Sequence, residues 1–292
     1  MRVRPDTIEA VRRVLALHDR LLGEAGGVAA HSPERMLAAI GRGGATVRSL
    51  GARCALGSAE LGVSLRMLVR ERLARLEVRR YRGEQARCVT LTRAGAARLR
   101  RIEVREATRA RRVANSQSQA SIRQLVRATV QIERLLCRSR IVIAPVDPAD
   151  GAARWCFAQY FDELAARFPG GFDRNAGGGT VRAEFLPPRG RLLIARLDGD
   201  PVGCGAVRAW APGIAEIKRM WVAPEARRLG IGAELLEALE RLARRRRAHT
   251  IRLDTHATLT EALRLYRRGG YRRIARYNDN PYAQRWFEKT LR

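Results

Sequence analysis

The sequence predicts two domains, a mainly α-helical one followed by an α/β domain with a mixed central sheet. The chain has 292 residues, which is enough for two domains that each bury a core. The first half shows helical periodicity with one hairpin signal, whereas the second half alternates strands and helices. The pattern changes near Arg138–Arg140, so we expect domains at residues 1–138 and 139–292.

The balance of charges favours a polyanionic partner. The chain has 57 lysines and arginines against 29 aspartates and glutamates, which gives a net charge of +28. Nucleic acid or the phosphates of a coenzyme would suit such a chain. Lys218 and Lys289 are the only lysines, so a coding bias toward arginine also explains the charge. The charge therefore supports a polyanion without identifying one.

The cysteines indicate a reducing compartment. They number five, are scattered and form no Cys-x-x-Cys pair; they are Cys54, Cys88, Cys137, Cys156 and Cys204. This argues against a metal site and a disulfide framework and favours the cytoplasm. The sequence shows no signal peptide and no long apolar span, so we expect a soluble protein without a membrane partner.

The first half predicts several helices that lead into a β-hairpin. Apolar residues recur on one stripe of a helix over about Pro5–Leu22, which also carries His18. Ser32, Thr46 and Ser58 are expected to cap three further helices. On the third of these helices, Leu61, Leu65 and Leu68 are expected to point inward. A hairpin turn is expected at Arg82-Gly83-Glu84. Two long helices follow, the first with the apolar residues Leu99 and Ile102, and the second with Ile122, Leu125, Ile132 and Leu136. Together these elements predict a winged helix-turn-helix.

A motif just past the hairpin, Leu91-Thr92-Arg93-Ala94-Gly95, resembles the Leu-Thr-x-x-Gly closing motif of MarR-type regulators. The resemblance implies a homodimer made by the flanking long helices, and a helix from Ser58 to about Arg70 that enters a DNA major groove. The side chains expected to meet double-stranded DNA are Arg66, Met67 and Arg70 on this helix, and Arg79, Arg80, Arg82 and Arg87 on the hairpin.

Some residues depart from the MarR pattern. Gly57 and Gly62 weaken the expected recognition helix, and Glu60 places a negative charge where it would repel phosphate. The hairpin also lacks the Asp-x-Arg pair that is common in these regulators. A winged-helix scaffold that has lost its DNA affinity therefore stays open as an alternative.

The second half predicts a sheet with helices between its strands. Ala152–Phe168 is expected to be a helix whose aromatic stripe belongs to the core, and Asp198-Gly199-Asp200 is a hairpin turn. Thr258-Leu259-Thr260-Glu261 has the pattern of a capping box, which predicts a helix over Ala262–Gly269. Trp286–Lys289 is expected to close the sheet as an edge strand.

The stretch from Glu216 to Gly232 has the pattern of a strand, a glycine-containing turn and a helix. In this arrangement successive backbone N–H groups and the helix dipole converge on a phosphate. Gly230 and Gly232 would let a ligand approach the backbone without Cβ atoms in the way. An ordinary strand-to-helix connection is the alternative.

The pattern Val-x-Pro-(x)2-Arg-(x)2-Gly-x-Gly, from Val222 to Gly232, resembles the acetyl-CoA pyrophosphate loop of the GNAT acetyltransferase superfamily. It lacks the Gly-Lys-Ser/Thr end of a Walker loop and the glycine spacing of the dinucleotide fingerprint. The resemblance covers nearly all of Ile141–Arg292 and implies acetyl-CoA as the acyl donor. It places Met220, Trp221 and Val222 along pantetheine, and Arg227, Arg228, Leu229, Gly230, Ile231 and Gly232 around the phosphates.

Acetyl transfer to an amine requires a neutral amine, a polarised thioester carbonyl and a proton for the departing thiolate. By the GNAT resemblance Tyr266 is the general acid near the sulfur, with a packed helix tyrosine as the alternative. Glu216 stands where several members place a general base, but a surface carboxylate paired with Lys218 or an arginine explains it equally well, and many members use a water chain instead. His256 stands where relatives carry a side chain near the coenzyme.

These patterns predict a bifunctional chain, in which a MarR-like regulator is fused to an N-acetyltransferase that transfers acetyl from acetyl-CoA to an unidentified amine by direct attack. Two alternatives remain. The second domain could be a non-catalytic acyl-CoA sensor that switches the first domain on DNA. The first domain could also be only a dimerisation scaffold for the enzyme.

Overall fold

The computed structural model describes residues 8–12, 14, 32–173 and 182–291. The chain divides into two compact units, one of residues 1–81, 85–140 and 198–200, and the other of residues 82–84, 141–197 and 201–292. In the helix expected near the N-terminus, residues 8–12 and 14 are helical. Its other named positions, His18 and Leu22, lie outside the described residues.

The first unit consists of helices and a small sheet. In chain order its elements are α1 (Pro33–Ile40), β1 (Ala45–Thr46), α2 (Val47–Cys54), α3 (Ser58–Arg70), β2 (Ala74–Tyr81), β3 (Glu84–Leu91), α4 (Arg93–Ser116) and α5 (Gln119–Arg138). The three strands lie in the order β1-β3-β2, and β1 runs antiparallel to β3. The predicted hairpin turn joins β2 to β3, with Arg82 and Gly83 at positive φ.

Two of the three predicted helix caps are confirmed. The side chains of Ser32 and Thr46 accept hydrogen bonds from backbone N–H groups in the first turns of α1 and α2. The cap predicted at Ser58 is wrong, because Gly57 is the N-cap and Ser58 is already helical. The Glu60 carboxylate accepts the Gly57 N–H at 3.0 Å, so a side chain three residues further on satisfies this helix end.

The predicted inward face of α3 is confirmed. Leu61, Leu65 and Leu68 are buried in one core with apolar residues of α1 and α2. Burying each leucine side chain contributes about 1.5–3 kcal/mol. A separate small cluster joins Ala110 and Ala114 of α4 to Ile122 of α5. Because the leucines of α3 face the core, the opposite face of this helix is exposed to solvent.

The second unit is built on a seven-stranded sheet. Its elements are β4 (Ile141–Val146), α6 (Gly151–Arg167), β5 (Gly190–Leu197), β6 (Asp200–Ala211), β7 (Ile214–Val222), α7 (Ile231–Arg245), β8 (Thr250–Thr255), α8 (Thr260–Arg268), β9 (Arg272–Ile274) and β10 (Arg285–Thr290), with short 3-10 turns at Arg182–Phe185 and Pro224–Ala226. The strand order is β4-β5-β6-β7-β8-β10-β9. Strands β7 and β8 are parallel, whereas the pairs β4–β5, β6–β7, β8–β10 and β9–β10 are antiparallel. The predicted mixed sheet is confirmed.

Two predictions about the end of the chain are wrong. The strand expected at the sheet edge, Trp286–Lys289, lies inside the sheet, because β10 pairs with β8 over six positions and with β9 on its other side. The capping box expected at Thr258 does not form, since Leu259 is the N-cap of α8 and no side chain bonds to it. Thr258 is instead engaged with the Nδ1 atom of His256 through its backbone N–H and its hydroxyl.

Candidate functional site

A cleft opens between β7 and β8 because their pairing ends early. The two strands pair in parallel from Ile214 with Thr250 to Glu216 with Arg252. Both strands then continue, to Val222 and Thr255, beyond the last paired position. Backbone polar groups along the inner edges of a diverging strand pair can bind an extended ligand.

A β-bulge in β7 explains the divergence. Cys204 of β6 faces Trp221 and Ala206 faces Lys218, so two residues of β7 lie opposite Gly205 alone. Arg219, the first of the two, has φ of +59°. A bulge of this kind bends its strand and increases the local twist. A Cβ at Gly205 would come within 2.8 Å of Leu239 Cδ1 and 3.0 Å of Met220 Sδ, so a larger residue there would displace these side chains.

Aromatic residues of α6 form one wall of this cleft. Tyr160 of α6 and Phe168, which directly follows the helix, border the cleft. Phe157 and Phe161 are buried in the core, and so is Phe168. The predicted core role of the aromatic stripe is therefore confirmed for the buried members. The stripe also has a side that faces the cleft, which the spacing alone did not indicate.

Tyr266 borders the same cleft from α8. Its ring is buried and packs against Tyr271 and Phe287, with ring centroids 5.9 and 6.1 Å apart. Burial raises the pKa of the Tyr266 hydroxyl above its ordinary value, and the neighbouring Tyr160 and Asp254 add to the effect. The hydroxyl consequently keeps its proton at neutral pH and can act as an acid or a hydrogen-bond donor there.

His256 lies at the end of β8 and also borders the cleft. Its ring stacks on Phe168 with centroids 4.1 Å apart. The Thr258 backbone N–H donates to Nδ1 at 3.2 Å, which assigns the proton of the neutral ring to Nε2. Burial lowers the pKa of His256, and the nearby Arg285 charge lowers it further. A neutral imidazole with one N–H donor is therefore favoured at pH 7.

Glu216 is fully buried and holds four hydrogen-bond donors. Arg208 Nε lies 2.7 Å from one carboxylate oxygen. The other oxygen accepts from Tyr277 at 2.9 Å and Asn278 at 3.2 Å, and lies 3.1 Å from Lys218 Nζ. The predicted pairing of Glu216 with Lys218 or an arginine occurs with both. Because the Glu216 side chain is 0% exposed, this pairing lies in the interior of the protein rather than at its surface. A carboxylate surrounded in this way fits a structural role better than proton transfer.

Sequence reasoning missed Asp254 and Asn280, which border the cleft together with Lys218. Lys218 Nζ donates to Asp254 Oδ1, and Asn280 Nδ2 donates to Asp254 Oδ2. A signal for Asp254 was present, because side chains near the carboxyl ends of neighbouring parallel strands meet at one edge of a sheet. Asn280 had no comparable signal, since it comes from the loop between β9 and β10.

The glycine turn forms the N-terminus of α7. Gly230 is its N-cap residue with φ of +92°, in the left-handed region, and no side chain caps the helix. A Cβ at Gly230 would meet nothing within 4 Å. The N–H groups of Ile231 and Gly232 have no acceptor within the helix, as at any helix start. Leu229 precedes this N-cap in the same turn. An anion would find free donors and the positive end of the helix dipole at this point.

The predicted residues around the turn differ in what their side chains do. Arg227 donates to the Val222 carbonyl at 3.0 Å and also pairs with Glu163, so it braces the turn. Arg228 is exposed. Met220 borders the cleft, whereas the Trp221 side chain is buried and donates to Glu163 at 2.9 Å. The backbone of Trp221, rather than its ring, is therefore the part available to a ligand in the cleft.

The residues expected to meet DNA lie in the first unit, except Arg82, which belongs to the segment 82–84 of the second unit. Arg66 and Arg70 are exposed on α3, on the side opposite its buried leucines, and Met67 is half-buried. On the hairpin Arg80 and Arg87 are exposed, whereas Arg79 pairs with Glu77 at 3.3 Å. Arg82 occupies the turn itself.

Other features bear on the expected cofactors and compartment. All five cysteines are buried and form no disulfide. Among the described residues no group of His, Cys, Asp or Glu is arranged to hold a metal ion. Within the same part of the chain, no helix combines the length and apolar character that crossing a bilayer needs.

Comparison with known proteins assigns a family to part of the chain. Residues 157–271 match the acetyltransferase (GNAT) family. An uncharacterized N-acetyltransferase of Schizosaccharomyces pombe is 37% identical over 100 residues, which are 34% of this chain and 61% of that protein. An IAA acetyltransferase of Azospirillum brasilense is 40% identical over 82 residues, 28% of this chain and 54% of the relative. The chain thus spans little more than half the length of these curated relatives.

The crystal structure of a GNAT family acetyltransferase from Elizabethkingia anophelis, with acetyl-CoA bound, is matched over 100% of its length by 53% of this chain, at 18% identity and a TM-score of 0.39. The family match at residues 157–271 lies within the second unit apart from residues 198–200, and the winged-helix interpretation of the first unit stays a prediction. The C-terminal part of this chain is a GNAT acetyltransferase domain.

Proposed function

We propose that the second unit transfers the acetyl group of acetyl-CoA to an acceptor amine by direct attack. The observation that carries this proposal is the combination of an uncapped helix start at Gly230 with a strand pair that opens beside it. A molecule that joins a diphosphate to a long extended arm fits both features at once. The diphosphate would meet the α7 N-terminus, and the arm would follow β7 into the cleft.

The donor is held mainly by backbone groups in this proposal. The amides of Arg228, Leu229, Gly230, Ile231 and Gly232 bind the phosphates, while the backbone of Met220, Trp221 and Val222 binds pantetheine. The Arg227 side chain keeps the turn in shape through Glu163 and the Val222 carbonyl. His256 would face the coenzyme from β8 with its Nε2 proton.

The chemistry follows from the charges that develop. The amine nitrogen attacks the thioester carbonyl, a C–N bond forms, and the C–S bond breaks with its electron pair on sulfur. Tyr266 gives its proton to the thiolate, for which its buried hydroxyl has the right protonation state. Water takes the proton of the amine, because Glu216 is buried and already bound by four donors. Glu216 as the base is the competing proposal.

The test combines binding with turnover. Titration calorimetry with acetyl-CoA measures donor binding, and release of free thiol in the presence of small amines, amino acids and peptides measures transfer. Binding together with thiol release from one class of amine is the expected result. Binding without release from any amine would favour the alternative of an acyl-CoA sensor without catalysis, and the absence of both would reject the proposal.

A second candidate function concerns residues 1–138, proposed here as a MarR-like winged helix-turn-helix that regulates transcription by binding double-stranded DNA. Exposed Arg66 and Arg70, on the face of α3 opposite its buried leucines, favour this function. A titration with random duplex at two salt concentrations tests it, because phosphate contacts make affinity fall steeply with salt. If the protein does not bind the duplex even at low salt, the remaining interpretation of the first unit is a dimerisation scaffold without DNA affinity.

The exposed apolar residues of α5 favour a homodimer. Leu125, Ile132 and Leu136 recur at helical spacing and stay 39–40% exposed, and Leu135 is 72% exposed. Exposed apolar residues at this spacing on a long helix are typical of an interface. Light scattering on the chain and on the variant Ile132→Glu tests this, since a charge on the stripe should shift the mass from dimer to monomer.

A further inference from the structure

We propose that the ion pair between Lys218 and Asp254 is a strut that sets the width of the cleft, and thereby the size of the acyl-CoA that the cleft accepts. The inference rests on the proposed function, since it assumes that the acyl donor lies between β7 and β8. It assigns positioning roles to two residues of the second unit.

The register of the strands places the strut. Glu216 and Arg252 are the last paired residues of β7 and β8. Lys218 and Asp254 each stand two residues further on, so they occupy equal positions on the two strands and point to the same face as the last pair. Backbone pairing has ended there, yet Lys218 Nζ still donates to Asp254 Oδ1. A side-chain contact thus replaces the backbone ladder where the strands begin to part.

Both ends of the strut are fixed by neighbours. Lys218 Nζ also lies 3.1 Å from the carboxylate of Glu216. Asp254 accepts a second hydrogen bond from Asn280, in the loop between β9 and β10. The side chain of Asp254 is 2% exposed and that of Lys218 19%. A pair so shielded from water is not weakened by solvent in the way that surface pairs are, and removing one partner leaves an uncompensated charge.

The choice of lysine fits a spanning role. The chain uses arginine almost everywhere, yet it has lysine at 218. A lysine is a compact charge on a flexible stem, whereas a planar guanidinium occupies more width. Both Lys218 and Asp254 border the cleft. Loss of the strut would let the strands move apart, so acetyl-CoA would be held less firmly and a longer acyl chain would be excluded less strictly.

The experiment compares acetyl-CoA with butyryl-CoA by titration calorimetry on Lys218→Met, which keeps the chain length and removes the charge. We expect acetyl-CoA affinity to fall about tenfold or more, with a smaller change for butyryl-CoA, because a small displacement of a binding surface is costly for a close-fitting ligand. Lys218→Arg keeps the charge but occupies more width, so it should retain only part of the acetyl-CoA preference. Lys289→Met, which breaks a comparable pair with Glu240 away from the cleft, should leave the affinity ratio unchanged.

The outcomes separate this inference from the function on which it rests. If the unaltered chain binds acetyl-CoA, the proposed function stands and two results would overturn the strut. One is an unchanged ratio of acetyl-CoA to butyryl-CoA affinity in folded Lys218→Met, and the other is an equal shift of that ratio in Lys289→Met. If the unaltered chain binds neither thioester, the proposed function fails and the strut fails with it. Should Lys218→Met not fold by circular dichroism, Asp254→Asn is measured instead, and an unchanged ratio in that variant also overturns the inference.

Discussion

Replacing Tyr266 with phenylalanine removes one hydroxyl and keeps the ring. The ring contacts with Tyr271 and Phe287 are apolar and survive the change, so the free energy of unfolding should move by less than about 1 kcal/mol. The thiolate would lose its proton donor, and general acid catalysis contributes about 10²–10⁴-fold. We therefore expect turnover to fall at least about a hundredfold while acetyl-CoA affinity stays nearly constant.

The assay measures thiol release at saturating acetyl-CoA and amine, together with calorimetric affinity for acetyl-CoA. Tyr271→Phe is the matched control, because Tyr271 is buried beside Tyr266 but does not border the cleft. Its turnover should stay close to that of the unaltered chain. Burial raises the pKa of Tyr266, so its hydroxyl stays protonated between pH 7 and about 9. Loss of this proton should therefore cause no fall in turnover over that range.

Two results would refute the assignment of Tyr266. One is turnover of the folded Tyr266→Phe variant equal to that of the unaltered chain. The other is an equal loss in Tyr271→Phe, which would attribute the effect to packing rather than to proton donation.

Three further predictions concern the glycine turn, a buried ion pair and the proposed DNA surface. Gly230→Ala places a Cβ at a φ of +92°, which costs about 1–2 kcal/mol, and should weaken acetyl-CoA binding in calorimetry; unchanged affinity would contradict a phosphate site there. Lys289→Met leaves the buried Glu240 carboxylate without its main cation and should lower the free energy of unfolding in urea by about 3 kcal/mol, whereas adding Glu240→Gln should recover most of the loss. Arg66→Ala and Arg70→Ala should each reduce the slope of log affinity against log salt by about 1 on random duplex, and equal slopes would place these arginines away from the phosphates.

Local signals in the sequence predicted much of the fold. The turn Asp198-Gly199-Asp200 joins β5 and β6 as expected, with positive φ at Asp198 and Gly199. The strand expected at the start of the stretch from Glu216 to Gly232 forms as part of β7. Such elements are fixed by neighbouring residues, namely turn chemistry and the alternation of apolar side chains, so a single stretch of sequence suffices.

One error is local. Thr258 has the pattern of a capping residue, but His256, two residues earlier, engages its N–H and hydroxyl. The other errors arose where distant residues decide. The position of β10 inside the sheet depends on its pairing with β8, which precedes it by about thirty residues. Glu216 was correctly placed on β7, yet its burial depends on Arg208, Tyr277 and Asn278 from other elements.

The candidate site divides in the same way. The glycine turn was visible because Gly230 and Gly232 stand at fixed offsets from a strand and a helix. The contact of Lys218 with Asp254 was not, because it depends on the register of two parallel strands and on the bulge at Arg219. Periodicity assigns a residue to a face, whereas the partner across a cleft follows only from the assembled sheet.

The central claim is that the backbone amides around Gly230 hold a coenzyme diphosphate. Titration calorimetry with acetyl-CoA and with S-acetylpantetheine, which has the same arm without the diphosphate, tests it most directly. Acetyl-CoA should bind at least about a hundredfold more tightly than S-acetylpantetheine, as two charge-assisted hydrogen bonds would give. Equal affinity for the two compounds, or no heat from acetyl-CoA, would contradict the claim.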